Sequence, residues 1–460
     1  MKRREFIKST VLAAAGVGAA AALPGCGTDS VPELAATSDI TERKVAGKVT
    51  VPYSEGGEAD LIVAGGGPAG LGAAVTAARM GKKVLLLEAG CCLGGVWTRG
   101  KCSCVIDFGR GGVAAEIIRR LDAMGARMPR RAKMLDSNFL FDSELMKIAL
   151  DDMCIEAGVR YICECSVAGV EKDPSGRNVT AVFTQSKAGL QRWTAKAYLD
   201  TTGDGDLCAM AGCGFDFGGE SEGDNDQPSS IGASVVIDDD RKVAQFINND
   251  PSAFAPGVAK PGNRKLEFLE EAKRCGSDAP APCLVRHYRN VLDLSCGFEC
   301  GLNLDDPEAI TLATVHARKE IYNLVQALVK NGGEKWKGLR IVSTSDRVWH
   351  RAARRIHGRY TISNDDIVTG AQFDDAVAIS NSQIDIHPQK DGNPYMLDTG
   401  LHTKPFQIPF RSCQAADIDN LFMAGRCISG GFYPLSSYRM TGPAVEMGEN
   451  VARKICEQYI

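Results

Sequence analysis

Hydrophobic and polar positions divide the chain into three regimes. The first follows the charged opening MKRREFIKST: an Ala- and Gly-rich apolar stretch from Val11 to Leu23. It is shorter than the ~20 apolar residues a bilayer-spanning helix needs, so residues 1–25 read as a targeting segment. The second, from Thr28 to about Glu58, is rich in Ser, Thr, Glu and Pro and has no apolar period, so residues 26–58 read as a tether. The third is patterned as a folded protein. Leu61 to Ala64 is a short apolar run bounded by glycine, expected of a strand buried on both faces. Ala69 to Met80 continues as a helix of small residues, and Val84 to Leu87 is a second buried strand. Pro307 to Asn331 carries Ile310, Ala313, Ala317, Ile321, Leu324 and Leu328 at helical spacing, a packing helix. Ala444 to Glu457 is amphipathic, with Thr441 or Gly442 as N-cap and Pro443 in the first turn. Phe217 to Asp226 and Asp250 to Asn263 read as loops, and no internal repeat is visible.

Composition narrows the field. Roughly 400 residues follow the tether, too many for one simple core and suited to two interleaved domains. The net charge of the 460-residue chain is −4, and loss of residues 1–25 moves it to about −7, which argues against nucleic acid as a partner. Seventeen cysteines form no C-x-x-C. Apart from Cys91-Cys92, the nearest pairs are Cys102/Cys104, Cys163/Cys165 and Cys296/Cys300, spacings that fit neither zinc nor iron–sulfur frameworks. No metal is expected, and most cysteines are expected to be buried, inert thiols.

The strand ending at Ala64 runs into Gly65, Gly67 and Gly70, with Pro68 and Ala69 between the last two. In such a G-x-G-x-x-G turn the first glycine permits the bend, the second lets backbone approach a pyrophosphate, and the third lets helix pack close to strand. Glu88 ends the next strand, 23 positions after Gly65, where a carboxylate can accept hydrogen bonds from an adenosine ribose and would repel a 2′-phosphate. Strand, turn, helix, strand and acid stand in the order dinucleotide binding requires, leaving NAD and FAD.

Four further segments decide between them by resemblance. Gly94-Gly95 and Thr98, close after Glu88, look like the segment of two-domain flavoproteins that runs along the FAD pyrophosphate and ribityl chain. Val167 resembles the valine whose backbone meets the adenine. Leu199 to Asp206, with Thr202, Gly203 and Asp204, resembles a D-A-T-G-D-G-D strand end in which Thr201 replaces alanine. Asn420 to Arg426 looks like the strand that returns to the flavin, with Arg426 after Gly425 where many relatives have Gly-Asp. Together these resemble the FAD-dependent oxidoreductases related to fumarate reductase and succinate dehydrogenase flavoproteins. The resemblance implies an α/β fold: a Rossmann-like FAD-binding domain (a two-domain flavoprotein fold) from residues 59–216 and 405–460, with an inserted α+β substrate domain over 217–404. It implies noncovalent FAD, since no histidine stands in a recognisable flavin-linking setting. Arg3-Arg4 with Phe6-Ile7-Lys8 resembles a twin-arginine export signal, a plain secretory signal being the alternative. Leu23 to Cys26 resembles a lipoprotein box in which Pro24 replaces the usual small residue, so both a lipid at Cys26 and its absence stay open. Either way the chain is expected to be exported, periplasmic or anchored to a membrane only through that lipid.

A reduced flavin needs positive potential near its pyrimidine, which the start of the C-terminal helix at Thr441 and Gly442 would provide. Arg439 adds charge there, binds substrate, or forms a surface ion pair. The segment Arg347 to Tyr360 resembles the family's R-E-S-R-R-I-x-G-x-Y, with Arg351, Arg354 and Arg355 matching and Ala352 in place of the acid. Those guanidinium groups either hold a substrate carboxylate or pair with acids such as Asp365, Asp366, Asp374 and Asp375. For proton transfer the candidates are His350, His357, His387 and His402 among the six histidines, with Tyr433 and Tyr438 as hydrogen-bond donors. The catalytic set expected is Arg439, His402, His357, Tyr438, Arg351 and Arg354. The activity expected is hydride transfer between flavin and a small polar substrate, with a separate electron-transfer partner. The rivals are a flavin-loaded electron carrier without turnover of its own and a flavin monooxygenase.

Overall fold

The computed structural model describes residues 50–129, 136–219, 227–250, 264–387 and 399–460. The Arg3-Arg4 pair, Cys26 and the tether as far as residue 49 lie outside the described residues, as do most of the two segments read as loops.

A seven-stranded sheet carries the half of the fold that contains the glycine turn. It begins with β1 (Ser54–Ala64), which runs through the glycine turn into α1 (Pro68–Arg79) and returns as β2 (Val84–Leu87). Helices α2 (Gly112–Ala123) and α3 (Ser143–Ala157) follow, then strands β3 (Arg160–Ile162), β4 (Ser166–Lys172), β5 (Val179–Ser186) and β6 (Gly189–Asp200). The order is β3-β2-β1-β6-β5-β4; β3, β2, β1 and β6 are parallel, and β4, β5 and β6 form an antiparallel meander. Leu61 to Ala64 are buried, as strands covered on both faces must be. β1 starts earlier than its apolar run: Ser54 to Glu58, read as tether, pair with Gln191 to Thr194 of β6. Backbone pairing along a largely exposed strand needs no apolar side chains, so no hydrophobic pattern marked it.

The inserted region forms a second sheet from β7 (Ser229–Val236), helix α4 (Arg264–Arg274), β8 (Cys283–Tyr288), β9 (Val291–Glu299), helix α5 (Pro307–Asn331) and β10 (Arg340–Thr344). Its order is β8-β9-β7-β10, antiparallel throughout. α5 spans the predicted limits: Asp306 caps it through the Glu308 and Ala309 amides, and Ala313, Ala317, Ile321, Leu324 and Leu328 are buried. Ile310 is only half-buried.

The chain then returns through an antiparallel pair, β11 (Ala376–Ser380) with β12 (Phe406–Pro409), to β13 (Leu421–Met423), which joins the large sheet parallel to β6. Helices α6 (Phe432–Tyr438) and α7 (Thr441–Gln458) close the fold. α7 lies directly on α1 because glycines let the backbones approach: a Cβ on Gly448 would stand 1.9 Å from the Ala69 carbonyl oxygen, and one on Gly72 2.5 Å from that of Val445. The cap of α7 differs from expectation. It is Met440, with Thr441 as the first helical residue, and the Gly442 amide donates to the Ile106 carbonyl at 3.3 Å. Pro443 still falls in the first turn, where its missing N–H costs nothing.

Register sets up the site. Ala64 pairs with both Leu87 and Asp200, and Asp200 pairs with Met423. Gly65, Glu88, Thr201 and Ala424 therefore leave the sheet side by side at its carboxyl edge, where open α/β sheets bind ligands.

Candidate active site

The glycine turn is shaped by close packing on two sides and openness on the third. Gly65 has φ +107°, and a Cβ there would lie 2.4 Å from the Thr201 carbonyl oxygen; one on Gly70 would lie 1.8 Å from that of Gly65. Gly67, the N-cap of α1, is different: a Cβ on it would meet nothing within 4 Å. α1 has no side-chain cap and no acid in its first turn, so its N-terminal amides face that open space beside Pro68 and Ala69. The Gly94–Gly95 turn lies over it, with the Gly94 amide donating to the Gly66 carbonyl at 2.8 Å and both glycines at positive φ. Buried Glu88 accepts from the Gly66 amide at 2.8 Å, the Gly90 amide at 2.6 Å and Arg99 Nη1 at 2.9 Å. The Cys165 amide donates to the Glu88 carbonyl, bringing the start of β4 and Val167 beside the acid.

Where β6 ends, Asp200 ties down the next turn by accepting from the Thr202 amide and hydroxyl. Gly203 follows at φ +83°, and then buried Asp204 takes Arg426 Nη2 at 2.5 Å, with Arg347 Nη2 at 3.7 Å. Burial alone would raise the Asp204 carboxyl, but Arg426, His350 and Arg347 overcome it and hold it at about 2. Arg426 thus stands beside the loop from β6, its Nη1 buried and without a hydrogen-bond partner.

A second constellation gathers from distant segments. Arg439 Nη2 donates to the Asp385 side chain and carbonyl, both at 2.8 Å. His387 Nε2 stands 3.6 Å from Asp385 Oδ1, and its ring lies 5.3 Å from that of Phe298, over which Arg351 also sits at 5.5 Å. Arg351 donates to the Pro228 carbonyl at 2.5 Å. Burial, then repulsion from Arg439, lowers Arg351 to about 10; both guanidiniums stay charged at neutral pH. Burial, then Arg351, pushes His387 down to about 3, so its imidazole is neutral. Asp385 is held below its ordinary value because Arg439, with Arg351, outweighs its burial. Among the described residues, Arg351 and Arg439, with Lys265 also acting on the cluster, face Asp385, and Arg439 Nε and His387 Nδ1 are buried without hydrogen-bond partners. Surface hollows also occur away from this cluster, one of about 520 Å³ at Phe373 to Asp375 and Arg411 and one of about 150 Å³ between Asp107 to Gly112 and the start of α7.

The family model for FAD dependent oxidoreductases matches residues 60–454. The chain belongs to that family. No curated protein matches it. Solved structures similar to it include a geranylgeranyl bacteriochlorophyll reductase-like protein from Thermoplasma acidophilum, at 13% identity over 87% of this chain and 79% of that one, with a TM-score of 0.42. The p-nitrophenol 4-monooxygenase of Pseudomonas putida DLL-E4 is 12% identical over 87% and 79%, with a TM-score of 0.43. The L-proline dehydrogenase of P. horikoshii is 12% identical over 89% and 95%, with a TM-score of 0.39.

Its family makes the chain an FAD-dependent oxidoreductase, and its residues fit that cofactor. Space opens before the uncapped helix at Gly67, Glu88 sits where a ribose would meet it, and Arg426 keeps a buried donor unspent. Several residues expected at the site have other employment. Thr98 is buried with its hydroxyl on the Leu93 carbonyl at 2.7 Å, closing its own turn. Tyr438 is completely buried, donates to the Ile428 carbonyl, and is held neutral by burial. Arg354 pairs with Asp206 and Asp305 rather than with Asp365, Asp366, Asp374 or Asp375. His357 points outward to Asp216 at 3.1 Å, with half its side chain exposed. His402 is exposed and makes no hydrogen bond or ion pair among the described residues. Neither histidine shares the buried setting of His387. His350 is buried on Ser229 Oγ at 2.6 Å, and burial lowers it to about 4. Half-buried Tyr433 packs on the core. Asp385, Phe298 and Gln227, whose Oε1 accepts from Arg439 Nη2 at 3.4 Å, carried no sequence motif; they join the cluster only through folding.

Proposed function

We propose that this oxidoreductase is exported, is related to the fumarate reductase flavoproteins, and transfers a hydride between bound FAD and a small anionic substrate held by Arg351 and Arg439. The observation that carries the reading is the excess of partly buried positive charge among the described residues: the Arg351 and Arg439 guanidiniums, with Lys265 nearby, face one carboxylate and a neutral imidazole, and Arg439 Nε has no hydrogen-bond partner. A substrate carboxylate would offset this excess charge and satisfy Arg439 Nε. The Phe298 ring gives Arg351 and His387 an apolar neighbour, against which charge interactions are stronger than in open water. Neutral His387 offers Nδ1 as a hydrogen-bonding group to the same substrate. Bound FAD supplies the redox step; orienting and neutralising the substrate is the protein's share. Export is supported by the Arg3-Arg4 start, and the residues of the FAD path support noncovalent binding.

The test is anaerobic photoreduction of the exported protein followed by a panel of small oxidants. Reoxidation is expected with a carboxylate-bearing class. Arg351→Met is expected to raise KM for it by about tenfold to a hundredfold with the flavin spectrum unchanged. A reduced protein that no small molecule reoxidises is instead the electron carrier, and a rate indifferent to Arg351→Met removes the anion site.

A further inference from the structure

The Cys102-Ser103-Cys104 segment lies next to the cofactor-binding turn and outside every role described above. The Cys102 amide donates to the Val96 carbonyl at 3.0 Å, so the segment is the direct continuation of the Gly94 to Thr98 turn. The chain enters it through Lys101 at φ +54°, an uncommon left-handed conformation for a residue with a side chain. Residues two apart on a regular strand point the same way but stand too far apart to touch, yet here the two sulfurs are 3.8 Å apart. Closing to a bond length of ~2.05 Å needs less than 2 Å of movement. Cys102 is exposed to solvent and Cys104 half-buried, an arrangement that admits an incoming reagent at one sulfur and shelters the other.

The surroundings suit thiolate chemistry. Charge interactions link Cys102 to both Arg351 and Arg439, and positive guanidinium groups favour the thiolate form. On the opposite side, Ser103 Oγ hydrogen-bonds to Asp293, the carboxylate that also holds His287 Nε2 at 2.7 Å and Ser234 Oγ at 3.0 Å. His287 interacts electrostatically with Cys104. Burial works against its imidazolium, but Asp293 outweighs burial and holds it above its ordinary value. Its Nδ1 is buried and has no hydrogen-bond partner, on a residue only 6% exposed. Asp293 thus anchors both the residue between the two cysteines and the histidine beside them.

We propose that Cys102 and Cys104 are a redox-active dithiol that exchanges electrons with a small external disulfide, with His287 as the positioning residue that sets its proton balance. One thiolate attacks a sulfur of the external disulfide, forming a mixed disulfide and expelling a thiolate that takes up a proton released by the pair. The second cysteine, as thiolate, attacks the protein sulfur of the mixed disulfide, forming the Cys102–Cys104 bond and expelling the second external thiolate, which takes up the other proton. Two protein thiols are oxidised, one external disulfide becomes two thiols, and protons are conserved. The anion site of the preceding section is not required.

The experiment equilibrates the FAD-loaded protein with mixtures of oxidised and reduced dithiothreitol, quenches with acid, alkylates and maps peptides. A reversible loss of both alkylation sites from the tryptic peptide 102–110, which becomes lighter by two hydrogens, is expected. Cys91→Ser, at an exposed cysteine outside the pair, is expected to leave the transition intact. His287→Gln is expected to slow alkylation of the pair about tenfold at pH 7, with the rate recovered at higher pH and flavin content unchanged. A peptide that keeps both alkylation sites across the whole range, or a Cys102–Cys300 link in its place, overturns the proposal. An alkylation profile that His287→Gln does not move removes His287 from it.

Discussion

At the residue scale, the three glycines of the dinucleotide turn are alike in sequence and unlike in space. A Cβ on Gly70 would collide with backbone at 1.8 Å, whereas one on Gly67 would meet no protein atom within 4 Å. Gly70→Ala is therefore expected to destabilise the apoprotein by about 1–3 kcal/mol and to empty it of flavin, because neither α1 nor β1 can shift without disturbing the sheet. Gly67→Ala is expected to leave the apoprotein melting temperature within about 2 °C while flavin occupancy falls at least tenfold, since the space its methyl fills is the space a pyrophosphate needs. Thermal melts of the apoproteins beside flavin-to-protein absorbance ratios separate the two. Equal loss of stability in both variants would mean that Gly67, too, is there for packing. The motif itself was legible because its parts lie within 24 residues and its meaning depends on backbone alone. Thr98 shows the limit: the sequence places it beside the cofactor, but its hydroxyl is consumed by the Leu93 carbonyl five residues away.

At the element scale, legibility followed locality. β2 and α5 occupy their predicted limits because each is set by its own apolar pattern and caps. The β8-β9-β7-β10 sheet was not legible, because its strands are separated by up to a whole helix and paired by contacts that no local period records. The packing of α5 on β9 also hides a charge that a sequence does not flag. Glu320 lies on the buried side of α5 with Oε2 unpartnered, close to Glu299, which itself accepts from His316 at 2.7 Å. Burial, then the Glu299 charge, raises the Glu320 carboxyl from its ordinary 4.5 to about 7. Because the folded pKa is the higher one, the folded chain keeps this proton across that window while the unfolded chain has released it. Stability from this group therefore falls as pH rises from 4.5 to 7 and is level above. Glu320→Gln is expected to be more stable than the parent by about 2–3 kcal/mol at pH 8 and nearly equal to it at pH 4.5. Urea unfolding at both pH values checks this, and a pH-independent difference would contradict the assignment.

At the scale of the whole molecule, the question is what couples the inserted sheet to the cofactor sheet. The sequence offered acids close in the chain to the arginine-rich segment as partners. The structure uses acids far from it: Arg354 reaches Asp206, 148 residues away at the end of the cofactor sheet, and Asp305, 49 residues away at the foot of α5. It also stacks on Phe215 at 5.5 Å and donates to the Asp204 carbonyl. One buried guanidinium therefore holds both halves, and its second task is electrostatic. Asp206 is already raised to about 6 by burial and by Asp204 and Asp200, with Arg354 the counterweight. Arg354→Met removes that counterweight and takes the guanidinium away from both Asp206 and Asp305, so a loss of about 3 kcal/mol is expected at pH 7.5. At pH 5, where Asp206 takes up its proton, the loss is expected to shrink to roughly half, because a neutral carboxyl no longer needs the cation. Arg354→Lys is not expected to restore stability, since a single ammonium cannot span two carboxylates as a planar guanidinium does. If instead both substitutions cost the same at pH 5 and pH 7.5, Arg354 acts through its packing on Phe215, and the coupling of the two sheets is hydrophobic rather than ionic.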